Sequence, residues 1–120
     1  MTDDDIKVLL VDDEVEFLET LIKRLRKRGL QVEQTGSGEA ALEHLADRPV
    51  DVVLMDMRMP GMDGIAALRE IKRRWPLIEV IMLTGHASME AAVEGMELGA
   101  FDYLMKPINI DELVFKIQDA

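Results

Sequence analysis

The sequence predicts an α/β fold, a doubly wound parallel sheet covered by helices on both faces. Short apolar runs alternate with amphipathic segments along the whole chain, and the runs, such as VVLM at 52–55, are apolar at every position rather than at every second one. Strands that alternate with helices imply parallel crossovers, and strands buried on both faces read as continuous apolar runs. A third observation is that acidic, hydroxyl or basic residues recur where the runs stop. In such sheets, sites form beyond the carboxyl ends of the strands.

Each element can be justified in turn. Residues 6–11 (IKVLLV) form the first strand, and Val15, Leu18, Leu21, Ile22 and Leu25 then fall on one helical face, with Gly29 as the stop. Residues 30–35 read as a second strand; Ser37 caps a short helix through Ala46, and Pro49 lies beyond it. The third strand, 50–55, is the most apolar. Asp63 caps a helix carrying Ile65, Leu68 and Ile71, which Trp75 and Pro76 close. Residues 79–84 (EVIMLT) are the fourth strand; Ser88 caps a helix that ends at Gly99. The fifth strand, 101–105, is followed by Pro107 and a last helix that begins near Asn109.

Composition narrows the function. A chain of 120 residues fits one domain, 1–120, with no linker, repeat or low-complexity segment. The absence of cysteine excludes disulfides, thiolate metal sites and cysteine nucleophiles. No apolar run approaches the roughly 18 residues of a membrane helix, and the acidic start has no signal-peptide pattern, so the expectation is a cytoplasmic protein without a membrane role. A formal charge of -10 argues against binding a phosphate backbone and suits a cation or a basic protein surface.

The strand ends hold Asp12, Asp13 and Glu14 after the first strand, Asp56 after the third, Thr84 at the fourth and Lys106 after the fifth. Taken singly, each has an ordinary role as helix cap, turn residue or ion-pair partner. Taken together they do not. Two like charges about 4 Å apart repel by about 4 kcal/mol at an effective dielectric near 20, so three converging carboxylates call for a cation or a raised pKa. Lys106 offsets one charge. With no cysteine and only His44 and His86, both remote in sequence from the aspartate pair, zinc fits poorly, whereas carboxylates, a carbonyl and open positions for water suit Mg²⁺. A carboxylate beside Mg²⁺, an ammonium and a hydroxyl is equipped to take a phosphoryl group. Asp56 is the expected acceptor.

Four motifs, VLLVDDE, VVLMDMRMPGMDG, IMLTGHAS and GAFDYLMKP, occur in order at the right strand ends, and together they resemble the receiver domain of bacterial two-component response regulators. The style of the last two is similar to receivers of nitrogen-regulator-type transcription activators. The resemblance implies a flavodoxin-like sheet of five strands in the order 2-1-3-4-5 with five helices. It implies phosphorylation of Asp56 by a sensor histidine kinase or phosphotransfer protein, with Mg²⁺ (or Mn²⁺ in its place) held by Asp13, Asp56 and the backbone carbonyl of Arg58, and by Asp12 through water. Lys106 would bind a phosphoryl oxygen. Thr84 would swing toward the phosphoryl group and Tyr103 would turn into the space vacated. Self-catalysed transfer and slow self-hydrolysis make such a domain a switch rather than an enzyme, controlling an output domain or partner protein. A homodimer through the face of helix 4, strand 5 and helix 5, around residues 90–97 and Tyr103, follows from the same resemblance, as does the expectation of either a single-domain regulator or one followed by an effector.

Some features lie outside that set. Arg58 and His86, each two residues past a site residue, are candidates for tuning the lifetime of the phosphoryl group; the plainer alternative is a solvated loop. The basic runs KRLRKRG and KRRWP fall in final helical turns, where cations complement the helix dipole. An aspartyl phosphatase or phosphotransferase is the rival from the enzyme class, but its usual Asp-x-Asp pattern is absent after the first strand, which ends Asp12-Asp13-Glu14.

Overall fold

The computed structural model describes residues 6–12, 14–56, 64–84, 89–105 and 108–120. The elements run β1 (Lys7–Val11), α1 (Val15–Lys27), β2 (Gln31–Thr35), α2 (Gly38–Asp47), β3 (Val52–Asp56), α3 (Gly64–Arg74), β4 (Glu79–Thr84), α4 (Met89–Glu97), β5 (Asp102–Met105) and α5 (Ile110–Asp119). All strand pairs are parallel and the order is β2-β1-β3-β4-β5, as the resemblance implied.

Period-2 alternation in the central strands divides the core into two clusters, one on each face of the sheet. Val8, Leu10, Val52, Leu54, Ile81 and Leu83 pack with Leu21, Ile22 and Leu25 of α1 and Leu113, Val114 and Ile117 of α5. Leu9, Val11, Val53, Met55, Val80 and Met82 pack with Ala41 and Leu45 of α2 and Ala67, Leu68 and Ile71 of α3. Every residue of β3 is buried, which is why its sequence shows no alternation of polar and apolar residues.

Local chemistry sets the ends of the helices. Ser37 Oγ accepts from the Ala40 N–H at 3.1 Å and Asn109 Oδ1 from the Glu112 N–H at 3.0 Å, two N-caps at the expected places. Gly29 and Gly99 adopt φ of 90° and 104°, the left-handed conformation that closes α1 and α4. The expected caps Asp63 and Ser88 lie outside the described residues. The first, second and fifth strands begin one residue later than expected and the second helix ends one residue later, while the third strand shifts at both ends: β3 begins two residues after the expected Val50, and Asp56 belongs to the strand rather than following it. The reason is pairing, since Asp56 is in register with Leu83 of β4, which extends the ladder by one residue.

Candidate functional site

The carboxyl ends of β1, β3 and β4 bring together three buried polar side chains. Asp12 is 0% exposed, Asp56 4% and Thr84 1%, and they are the buried polar or charged residues among those described. Register explains their meeting. Val11 pairs with Met55, so Asp12 and Asp56 are the next residues on adjacent parallel strands. Asp56 pairs with Leu83, so Thr84 stands one step beyond it. Adjacent strands lie about 4.8 Å apart, and two carboxylates at that spacing repel by on the order of 3 kcal/mol at an effective dielectric near 20.

Hydrogen bonds hold these groups in different ways. The Asp12 backbone N–H donates to the Thr35 carbonyl at 3.2 Å, carrying the β1–β2 ladder past the end of β1. The Glu14 N–H donates to Asp12 Oδ1 at 3.0 Å, so one carboxylate oxygen organises the turn into α1. The capping role open to Asp12 is therefore partly real: α1 has Glu14 at its N-cap, with no side-chain cap bond of its own. The Thr84 hydroxyl is buried and has no hydrogen-bond partner among the described residues. Tyr103 is half-buried on β5, in register with Met82 of β4, and packs against the α2 and α3 side of the core.

The structure thus places Asp12, Asp56 and Thr84 at the carboxyl ends of three neighbouring strands, with Tyr103 on the next strand. Asp13, Arg58, His86 and Lys106 lie outside the described residues. No group of three or more His, Asp or Glu side chains able to hold a metal occurs among the described residues. Asp12 and Asp56 offer oxygen donors only, a set that fits a hard divalent cation such as Mg²⁺ rather than zinc.

The chain's sequence and fold match a known family. The family model "response regulator receiver domain" covers residues 8–118. The chain belongs to that family. The receiver is 44% identical to the transcriptional regulatory protein ZraR of Escherichia coli O157:H7 over 120 residues, all of this chain and 27% of that protein. It is 44% identical to the DNA-binding transcriptional regulator NtrC of Escherichia coli K12 over 113 residues, 94% of this chain and 24% of the relative. The receiver therefore spans about a quarter of the length of these curated relatives. Among solved structures, a response regulator receiver domain protein from Clostridium thermocellum superposes with a TM-score of 0.91 at 36% identity, covering 95% of this chain and 92% of that one. The receiver domain of NtrX from Brucella abortus gives 0.87 at 31% identity, covering 94% and 99%. The receiver is a signalling switch of the two-component type, as the four motifs implied.

Several contacts of the receiver were not legible as motifs. Lys72 Nζ donates to the carbonyls of Pro76 and Ile78, both at 3.0 Å, and lies 3.3 Å from Glu79 Oε1, so this member of the KRRWP run clamps the α3–β4 connection as well as complementing a dipole. Lys116 of α5 pairs with Asp102 of β5, and Asp102 also accepts from the Tyr103 N–H at 2.7 Å. Glu33 of β2 is shared by His44 and Arg48 of α2 and its flank. The only signal for these pairs is opposite charge at distances of 7–15 residues, which many sequences carry by chance.

Proposed function

We propose that Asp56 is the phosphoacceptor of this receiver. The observation that carries the reading is its placement: a buried carboxylate at the end of the central strand, flanked by buried Asp12 on β1 and by the Thr84 hydroxyl on β4. In the transfer, an Asp56 oxygen attacks phosphorus, the bond from phosphorus to the donor's imidazole nitrogen breaks, and an acyl phosphate forms. Asp56, Asp13 and the Arg58 carbonyl would hold Mg²⁺, with Asp12 acting through water; bound there, the metal offsets the carboxylate and phosphoryl charge that otherwise opposes the approach. Lys106 pairs with a phosphoryl oxygen. Thr84, whose hydroxyl has no partner among the described residues and gains a strong acceptor in the phosphoryl group, moves toward it, and Tyr103 follows into the space. Arg58 and His86 would tune how readily water reaches the acyl phosphate.

A sensor histidine kinase or phosphotransfer protein is the donor, and the face of α4, β5 and α5 carries the signal to a copy of this chain or to an output segment. Control of transcription is what the relatives' names say of them, and we extend it to the protein from which this receiver acts, working in the cytoplasm. No helix among the described residues is long and apolar enough to cross a membrane.

Intact-protein mass after incubation with acetyl phosphate tests the reading. One added phosphoryl group is expected in the parent with Mg²⁺, and none without the metal or in Asp56→Asn. A gain that persists in Asp56→Asn would place the acceptor elsewhere.

A further inference from the structure

Helix α4 carries a glycine, Gly95, in its last turn, inside the helix and ahead of the Gly99 stop, where a residue that weakens helices calls for a packing reason. The structure supplies one. A Cβ placed on Gly95 would fall inside the van der Waals shell of the Met82 sulfur, 2.7 Å from Met82 Cε and 3.4 Å from Leu68 Cδ2. The α4 backbone therefore rests directly on a side chain of β4. Among residues 93–97 of the helix, Gly95 alone is buried; Val93 and Met96 are exposed.

What lies under that seat matters. Met82 is fully buried, is the register partner of Tyr103, and precedes Thr84 by two residues on the same strand. Alternation puts Met82 and Thr84 on one face of the sheet, the face against which Tyr103 also packs. A methionine side chain is unbranched and polarisable and fills irregular gaps, so it seats in the space that the missing Cβ leaves.

We propose that Met82 and Gly95 form a knob and notch that couple the position of Thr84 to that of α4, Gly95 being a positioning residue for the switch. The inference rests on the acceptor reading of Asp56. With Met82 seated in the notch, α4 sits down on β4; a shift of Thr84 and Tyr103 repacks Met82, and the thioether then lifts the helix. The exposed α4 side chains move with it.

The test is binding of beryllium fluoride, a phosphoryl mimic, followed by backbone amide shifts in the folded domain with Mg²⁺. Gly95→Ala fills the notch and disfavours the seated helix, so the mimic is expected to bind more tightly by roughly fivefold or more. Removing the knob as well, in Gly95→Ala/Met82→Ala, should bring affinity to within roughly twofold of Met82→Ala alone. A purely structural role would move the urea midpoint and leave mimic affinity unchanged in Gly95→Ala, and that result overturns the proposal. If Gly95→Ala fails to fold, Met82→Leu, which keeps the volume but branches the knob, reads the seat from the other side; unchanged affinity there overturns it equally. Acetyl phosphate on the parent separates the two readings: a parent that is phosphorylated on Asp56 with a silent seat sinks the seat alone, whereas a parent that takes neither phosphoryl group nor mimic sinks the acceptor reading and the seat with it.

Discussion

Thr84 is the residue with most to gain from a change of state. A buried hydroxyl without a partner costs about 1–3 kcal/mol, and the Thr84 hydroxyl has none among the described residues. Thr84→Val keeps the shape and removes the polar atom, so urea denaturation of the unphosphorylated protein should show stability equal to the parent or higher by up to about 1 kcal/mol, while the amide-shift response to beryllium fluoride is lost. Thr84→Ser should keep the response. Asp56 gives a second expectation. With Asp12 and Asp56 both buried on adjacent strands, Asp56→Asn should raise the thermal midpoint in chelator by about 3–5 °C, the effect of about 1 kcal/mol in a domain of this size; Mg²⁺ should narrow the gap by stabilising the parent. A lower midpoint for Asp56→Asn would show that hydrogen bonds to the carboxylate outweigh the repulsion. These residues were legible in the sequence because each stands where an apolar run stops, and period-2 alternation fixes the place of a strand end. That the Thr84 hydroxyl is buried without a partner among the described residues was not legible, because burial of a strand-end hydroxyl depends on packing that no short pattern encodes.

At the scale of elements, β5 and α5 are tied by the Asp102–Lys116 pair. Burial acts to raise the Asp102 pKa, but the Lys116 hydrogen bond, the Tyr103 N–H and the attraction of the ammonium together outweigh it and hold the carboxyl below its ordinary value of 3.8. A depressed folded-state pKa means that the pair contributes stability above the unfolded value and loses it as pH falls through the folded one. Asp102→Asn should therefore lower stability at neutral pH and converge with the parent as pH falls below 3.8 and through the depressed folded-state value, as read from urea midpoints across the acid range; parallel curves would count against the pair. Glu33, held low chiefly by its hydrogen bond from His44, carries the same sign, with a smaller effect because it is largely exposed. Helices and strands were readable here to within two residues, since caps such as Ser37 and Asn109 act within four residues of chain. The ties between elements were not, because Asp102 and Lys116 meet only once α5 has packed on the sheet.

On the scale of the molecule, the two core clusters depend on one sheet and share β3 as their centre. Leu54 is fully buried on the α1 and α5 face. Leu54→Ala should cost about 2–5 kcal/mol and loosen both faces in one cooperative transition; two separate transitions by fluorescence of Trp75 and by far-UV dichroism would show that the clusters fold apart. Ile6, at the entry to β1, and Ile117 and Ala120, at the end of α5, line one groove of about 910 Å³ together with Trp75 and Leu77, at the sheet edge away from Asp12 and Asp56. In space, then, the described ends of the chain are neighbours. A short linker from Ala120 to Ile6, with new ends opened beside the exposed Leu77, should give a circular permutant that keeps its carboxylates in register, because the cut and the joint both fall at the end of the sheet opposite Asp12 and Asp56.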